Sequence, residues 1–229
     1  MTQNLRFLGV LPARAGSKGI PDKNLRNLAG QPLLHWAARA LIESEVAERS
    51  ICSTDSDRIA NAAKKSGLEV PFLRPSQLAT DTTPIVDVLL HAIRNLNESY
   101  SHIVLVQATT PTVTSLDIQK AVRLISEGAD TVISGYLTHE HHPAIMYTLD
   151  AHQKVNWLLS GGNHAVRRQD FPPVFVRTGS VYIISVEHMI DSQSLYGQDI
   201  RAIEVDRSRA ITIDEEADFL RAKQIMEES

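Results

Sequence analysis

The chain has 229 residues, a hydrophobic fraction of 43% and a net charge of −4. This composition is typical of a globular protein with a full core, and the mild acidity argues against a general nucleic-acid-binding protein. The single cysteine, Cys52, excludes an intramolecular disulfide and a cysteine-based zinc site. The first apolar run, FLGVLPA, is too short to span a membrane and leads into charged residues, so we expect a cytoplasmic protein without membrane attachment.

Short apolar runs alternate with amphipathic stretches as far as residue 136. The pattern predicts strands at residues 6–12, 49–55, 102–108 and 130–136, and helices at residues 32–44, 56–67, 83–96 and 115–128. Asp55 or Ser56 is suited to cap the second helix, and Gly67 is suited to end it. Such a βαβα alternation predicts a mostly parallel sheet that is covered by helices on both faces.

The alternation stops after residue 136, where residues 137–178 are polar and rich in turn-forming residues. We interpret this segment as an inserted subregion of short strands and loops. A strand at 179–185 and a C-terminal helix at 213–228 complete the chain. The sequence therefore predicts a single α/β domain over residues 1–229, with a Rossmann-like, three-layer αβα arrangement and a mixed, mostly parallel sheet.

A basic loop follows the first predicted strand. Its segment LPARAGSKGIPDKNLRNLAG, residues 11–30, contains one acid, Asp22, and the cations Arg14, Lys18, Lys23 and Arg26. In open α/β sheets, ligands bind at the carboxyl ends of the strands, where this loop is expected. Gly16 and Gly19 let the backbone approach a ligand closely. Clustered cations suit a triphosphate, since they neutralise charge on a leaving phosphate. The alternative is a solvated basic turn, because neither a Walker A motif nor G-x-G-x-x-G is present.

The segment LPARAGSKGIPDKN closely resembles the nucleotide-binding signature of the CMP-N-acylneuraminate (sialic acid) cytidylyltransferases, whose relatives activate legionaminate, pseudaminate and Kdo. Other segments resemble the family in the same order: LAGQPLLHWAARAL, STDSDRIANAAKKSG, RPSQLATDTTP, LVQATTP and RRQDFPPVFVRTGSVYII. The resemblance implies a nucleotidyltransferase fold. It also implies transfer of CMP from CTP to the anomeric hydroxyl of a nonulosonic acid such as N-acetylneuraminate, with release of pyrophosphate.

The resemblance implies a nucleotide-binding set made of Leu11, Ala13, Arg14, Gly16, Ser17, Lys18, Lys23, Asn24, Arg74, Thr82 and Thr83. Within it, Arg14 and Lys23 are expected to hold the CTP phosphates and to act in catalysis together with Asp214. Asn24 is expected to contact the ribose or the base. Arg74 is expected to complete the cytosine pocket with the hydroxyls of Thr82 and Thr83, and the alternative for Arg74 is a surface charge.

The acceptor sugar is implied to contact Gln107, Arg168, Gln169 and Arg177. An arginine can bind the carboxylate of the sugar through two parallel hydrogen bonds, which favours Arg168. The alternatives are a buried glutamine at Gln107 that the backbone satisfies, and a surface ion pair between Arg168 and Asp170.

A magnesium ion is the implied cofactor, and Asp214 is its predicted ligand. The family carries D-x-D just before the last helix, whereas this chain has AITIDEEADF, with Thr212 at the first aspartate position. Asp218 is more compatible with the start of the helix. A second departure is VRTG, where Thr178 replaces the usual asparagine, so the identity of the sugar stays open.

The resemblance further implies a homodimer that forms through residues 137–178. Two alternatives to a nonulosonate cytidylyltransferase remain: a nucleotidyltransferase for another sugar acid or nucleotide, and a non-catalytic nucleotide-binding protein. The residues do not identify a general base. The cluster HEHH, residues 139–142, lacks the helical H-E-x-x-H spacing of a zinc site, and we interpret it as a solvated or interface loop.

Overall fold

The computed structural model describes residues 5–159, 167 and 170–227. The strands are β1 (Phe7–Pro12), β2 (Asn27–Leu28), β3 (Gln31–Pro32), β4 (Arg49–Ser53), β5 (His102–Val106), β6 (Thr131–Thr138), β7 (Tyr147–Leu149), β8 (Val155–Trp157), β9 (Val174–Ser185) and β10 (Ile200–Glu204). The α-helices are α1 (Leu33–Glu43), α2 (Asp57–Lys65), α3 (Ile85–Arg94), α4 (Ser115–Ser126), α5 (Val186–Ser192) and α6 (Glu216–Glu227).

The main sheet has the strand order β10-β6-β9-β5-β1-β4. Strand β1 runs parallel to β4 and β5, and β10 runs parallel to β6. Strand β9 is antiparallel to both of its neighbours, β5 and β6. The remaining strands of this sheet all run in one direction. The prediction of a mixed, mostly parallel sheet is confirmed.

The predicted elements as far as residue 136 are all present, and their ends differ from the prediction by at most two residues. Ser56 caps α2, because its hydroxyl accepts a hydrogen bond from the amide of Ile59, and Gly67 follows with a φ of 90°. The sequence reading missed α5, β10 and the small β2–β3 hairpin. Each of these is short, so none has enough residues to show a clear period.

Helices cover both faces of the sheet, as predicted. On one face, α1, α2 and α4 pack on the sheet through residues such as Leu34, Ile59 and Ile118. On the other face, α3 and α5 pack through residues such as Leu89 and Met189. Successive residues of β1 and β5 belong alternately to these two clusters, since side chains of a strand alternate between the faces of the sheet.

The predicted insertion is partly an extension of the main sheet. Strands β6 and β9 continue to pair beyond the predicted strand ends, with Leu137 opposite Phe175 and Thr138 opposite Val174. The expected boundaries at residues 137 and 178 therefore fall within strands, because the VFVR segment is rich in β-branched and aromatic residues. Between these strands, β7 and β8 form a separate antiparallel hairpin. Within the described ranges, every helix is too short or too polar to cross a lipid bilayer.

Candidate functional site

A cleft of about 350 Å³ opens at the carboxyl edge of the main sheet, where β1, β4 and β5 end side by side. It is lined by Pro12, Ala13, Arg14, Ser17, Lys18, Gly19, Lys23, Asn24, Arg74, Leu78, Thr80, Asp81, Thr83, Ile85, Val88, Gln107, Ala108, Thr109 and Asp214. The predicted nucleotide-binding residues thus meet at this edge, apart from Leu11, Gly16 and Thr82. Leu11 is fully buried in the core, so it does not contact a ligand in this cleft.

The basic loop is held in place by a contact within it and by contacts with two other segments. The carboxylate of Asp55 accepts a hydrogen bond from the amide of Ala15 at 2.9 Å, and the side-chain amide of Asn24 donates to the carbonyl of Arg14 at 3.0 Å. Gly19 lies against the C-terminal segment, where a β-carbon would be 2.2 Å from the carbonyl oxygen of Asp214. A glycine is therefore required at residue 19 by close approach of two backbones.

Lys23 is the most buried of the lysines in this loop, with a side chain that is 12% exposed. Its ammonium group donates to the carbonyl oxygen of Ile213 at 2.7 Å and lies 3.2 Å from the carboxylate of Asp214. These contacts fix the charge of Lys23 at the border of the cleft. Lys23 and Asp214, which are distant in sequence and for which catalytic roles are expected, are thus brought together.

Asp81 is a functional candidate that the sequence reading did not single out. Its carboxylate forms ion pairs with Arg14 and, at 2.6 Å, with the ammonium of Lys18. These hydrogen bonds, from Lys18 and then Arg14, lower the pKa of Asp81. Asp81 therefore offsets charge on Arg14, which is expected to hold the CTP phosphates, and on Lys18 of the same loop. In the sequence, Asp81 was marked only by its place in the ATDTTP segment, and there it could equally cap the helix that follows.

Arg74 lies in the wall of the cleft and is only 5% exposed, which excludes the alternative of a surface charge. Its backbone amide donates to the carbonyl of Thr54 at 2.7 Å, yet the buried Nε and Nη2 atoms have no hydrogen-bond partner among the described residues. Burial lowers the pKa of the guanidinium. Buried polar groups in folded proteins are nearly always hydrogen-bonded, so Arg74 is a candidate for binding a polar ligand at this wall of the cleft.

The predicted sugar-binding residues are only partly brought together. Gln107 lines the cleft directly after β5. Arg177 is not in the cleft wall, because its guanidinium donates to the hydroxyl of Tyr196 and lies over the ring of Tyr182, 5.9 Å from the centroid. Arg168 and Gln169 lie outside the described residues.

The two departures from the family motif contact one another. The hydroxyl of Thr212 donates to the carbonyl oxygen of Thr178 at 2.9 Å. The Thr178 hydroxyl lies 2.9 Å from that of Ser134, within β6. Thr212 therefore holds the backbone of β9, and its side chain does not take the place of an aspartate ligand.

Asp214 is the carboxylate that is available to a metal ion, with a side chain that is 77% exposed. Asp218 accepts the backbone amides of Asp214 and Glu215 at 3.0 Å each, so it belongs to the start of α6, as expected. No group of three or more His, Cys, Asp or Glu residues in the described part of the chain is arranged to bind a metal. A single carboxylate is compatible with Mg²⁺, which is often bound by one or two carboxylates together with substrate phosphates and water.

The chain is similar to known proteins over most of its length. A sequence profile of the cytidylyltransferases matches residues 8–219. The CMP-N,N'-diacetyllegionaminic acid synthase of Legionella pneumophila is 29% identical over 97% of each chain. An N-acylneuraminate cytidylyltransferase of Streptococcus agalactiae is also 29% identical, and this chain, matched over 92% of its length, spans 51% of that protein.

A solved structure of CMP:2-keto-3-deoxy-manno-octonic acid synthetase complexed with CTP has a TM-score of 0.73 to this chain. The match covers 97% of this chain and 99% of that one. At 15% identity the likeness shows a shared fold. The fold prediction, a nucleotidyltransferase-type α/β domain, is confirmed.

Proposed function

Because the chain belongs to the cytidylyltransferase family, we propose that it transfers CMP from CTP to the anomeric hydroxyl of a nonulosonic acid and releases pyrophosphate. The observation that carries this proposal is the set of four cationic side chains, from Arg14, Lys18, Lys23 and Arg74, around one cleft. N-acylneuraminate and diacetyllegionaminate are the first acceptors to test, since relatives that bear these names are equally identical to the chain.

The triphosphate is proposed to lie along the basic loop. Lys23 is already fixed by the carbonyl of Ile213, so its charge is in place before the substrate arrives. Arg14 and Lys18 exchange the carboxylate of Asp81 for phosphate oxygens. Charge that is pre-positioned beside the leaving pyrophosphate stabilises the transition state more than the ground state.

The cytidine is proposed to lie between Arg74 and the segment that follows it. The guanidinium of Arg74, in the wall of the cleft, supplies charge-assisted hydrogen bonds to oxygen acceptors on the nucleotide. The hydroxyls of Thr80 and Thr83, which are 2.7 Å apart, provide both donors and acceptors next to the same cleft. Matched donors and acceptors of this kind suit the polar edge of cytosine.

The acceptor is proposed to enter beside Gln107, at the end of β5. Its anomeric hydroxyl attacks the α-phosphorus of CTP, and pyrophosphate departs toward the basic loop. The reaction needs no covalent enzyme intermediate, so these side chains act by orienting the two substrates and by stabilising charge. Arg168 remains a proposed partner of the acceptor carboxylate, whereas Arg177 is directed to Tyr196 and Tyr182 outside the cleft wall.

Magnesium is proposed to bind with CTP through the carboxylate of Asp214, where it would supply further neutralisation of the phosphates. Lys23 shares that carboxylate in the absence of substrate, 3.2 Å away. Asp214 therefore has a solvent-exposed oxygen pair beside the phosphate path, in keeping with a cation that retains several waters.

A homodimer is proposed to form through the 137–178 subregion. Exposed apolar side chains of this subregion are Leu137, Met146, Tyr147, Leu149, Val155, Leu158 and Leu159. Leu149 and Val155 lie opposite each other in the β7–β8 hairpin, and exposed apolar residues that lie together often mark an interaction surface. Light scattering should give the mass of a dimer for the wild type and for Leu220→Glu on α6, and that of a monomer for Leu149→Glu. A monomeric wild-type protein would contradict this proposal.

The decisive experiment measures pyrophosphate release from CTP with a panel of acceptors: N-acetylneuraminate, diacetyllegionaminate, pseudaminate and Kdo. We expect turnover with CTP and at least one nonulosonic acid, and none without an acceptor. Turnover with UTP or GTP but not CTP would overturn the nucleotide assignment. Calorimetric binding of CTP without turnover at millimolar magnesium would instead favour a non-catalytic nucleotide-binding protein. Thr212 motivates this alternative, because it stands at the position of the first motif aspartate.

A further inference from the structure

Strand β9 has a large bulge beside the cleft. Ile133 of β6 is opposite Tyr182, but Gly135, two residues further, is opposite Arg177. The β9 residues 178–181 therefore face a single residue of β6, Ser134. Gly179 in the bulge has a φ of 75°, a conformation that glycine adopts without strain. Bulges interrupt the backbone ladder, so other groups must satisfy the backbone and fix the bulge.

The Ser134 side chain supplies these contacts. It is fully buried, and its hydroxyl lies 2.9 Å from the hydroxyls of both Thr178 and Ser180. It also accepts a hydrogen bond from the amide of Val181 at 2.9 Å. The Thr178 and Ser180 hydroxyls are themselves 2.9 Å apart, which closes a triangle of hydroxyl groups. The Ser134 side chain thus supplies hydrogen bonds where the backbone pairing of β6 and β9 is interrupted.

The bulge is connected to the cleft by two further contacts. The amide of Gln107 donates to the carbonyl of Ser180 at 3.4 Å, and the hydroxyl of Thr212 donates to the carbonyl of Thr178 at 2.9 Å. The amide of Ile213 then donates to the carbonyl of Thr109 at 2.8 Å. Hydrogen bonds therefore join the bulge to the segment before α6 and to the end of β5. Within this hydrogen-bonded unit, Gln107 and Thr109 line the cleft.

We propose that Ser134 and Thr212 are positioning residues that set the acceptor side of the cleft by holding the β9 bulge against Gln107. The proposal rests on the proposed function for its acceptor. Neither side chain lines the cleft, so both act through the backbone of β9. The basic loop on the phosphate side is held by contacts outside this unit, with Asp55 and Asn24. Loss of either hydroxyl should therefore change acceptor binding and spare CTP binding.

The test compares Ser134→Ala with a matched variant, Thr131→Val, on the same strand. Thr131 is also fully buried, and its hydroxyl donates to the carbonyl of Leu195 at 3.1 Å and accepts the amide of Gly197 at 3.0 Å, away from the cleft. We expect Ser134→Ala to raise the KM for the acceptor about tenfold, the scale of one lost hydrogen bond, with the KM for CTP within about twofold. Thr131→Val should lower stability by a similar amount and leave both KM values unchanged.

The second arm compares Thr212→Val with Thr212→Ser, which keeps the hydroxyl donor. The valine variant should raise the acceptor KM, and the serine variant should restore it. An acceptor KM for Ser134→Ala equal to that of the wild type, or an equal rise in Thr131→Val, would overturn the proposal.

A third readout does not depend on turnover. Hydrogen exchange at the amides of Gln107 and Val181 should become faster in Ser134→Ala and stay unchanged in Thr131→Val. If the wild-type protein releases no pyrophosphate with any acceptor, the proposed function fails and this exchange decides the inference alone. Unchanged exchange in Ser134→Ala would then refute it.

Discussion

Replacing Arg74 with methionine should make the protein more stable and its nucleotide binding weaker. Arg74 is 5% exposed, and two of its guanidinium nitrogens are buried without a hydrogen-bond partner among the described residues. These donors are shielded from solvent, and no described backbone or side-chain group accepts a hydrogen bond from them. Methionine has a similar length and packs well in irregular apolar surroundings, so it removes the unpaired donors with little loss of volume.

The expected magnitudes follow from these two donors. A buried polar group left unpaired costs about 1–3 kcal/mol, so Arg74→Met should raise the free energy of unfolding by about 1–3 kcal/mol. For a chain of this size, that corresponds to a rise in Tm of about 2–4 °C per kcal/mol. A hydrogen bond to a charged group contributes about 1.5–3 kcal/mol, so the affinity for CTP should fall about tenfold to a hundredfold.

Urea denaturation and calorimetric titration with CTP measure the two effects on the same samples. Arg123→Met is the matched control, because Arg123 is on the surface of α4, 82% exposed, and pairs with Glu127. This control should change neither quantity beyond the small effect of a surface ion pair. A less stable Arg74→Met protein would show that the donors are satisfied in the folded chain. Unchanged CTP affinity would remove Arg74 from the nucleotide site.

Four further outcomes are expected. Lys23→Met should lower kcat about a hundredfold. Lys18→Met should lower kcat much less, because the Lys18 side chain is 81% exposed. Equal losses of kcat in the two variants would contradict a special role for the buried Lys23. Asp81→Asn should tighten calorimetric binding of pyrophosphate severalfold, because its carboxylate pairs with the phosphate-binding cations, whereas weaker binding would show that Asp81 only orders them. Asp214→Asn should raise the magnesium concentration at half-maximal activity, and an unchanged value would place the ion elsewhere. Burial lowers the pKa of His102, so the unfolded chain binds more protons than the folded one, and stability should fall as the pH drops below about 6.5. In urea denaturation between about pH 7 and 5, the free energy of unfolding should depend less on pH for His102→Gln than for wild type.

The sequence predicted the regular half of the fold because that half is periodic. Strands such as β1 and β5 are short, continuous apolar runs, and helices such as α1 repeat apolar residues at helical spacing. Strand β9 was predicted to begin five residues too late, at residue 179 instead of Val174. Its bulge interrupts the alternation of side chains at Thr178–Gly179, so the period visible in the sequence begins only after the bulge.

The candidate site was predictable where one local segment supplies its residues, as in the loop from Ala13 to Asn24. Contacts between distant segments were not predictable from periodicity. Asp81 meets Arg14 only because the segment between α2 and α3 returns to the cleft at the end of β1. The bond from Thr212 to Thr178 likewise joins two positions that each looked like a separate departure from the motif.

The four cations of the basic loop look equivalent in the sequence, and the structure separates their roles by their partners. Arg26 pairs through two nitrogens with Glu216 and lies over the ring of Phe219, 4.1 Å from its centroid, so it anchors α6 to the loop. Lys23 is oriented by a backbone carbonyl that a substrate does not need to displace. Arg14 and Lys18 share one carboxylate, that of Asp81. A net-acidic protein can therefore keep this loop folded without substrate, because carboxylates from distant segments occupy its charges. A triphosphate would replace the shared carboxylate while the Arg26 anchor stays in place.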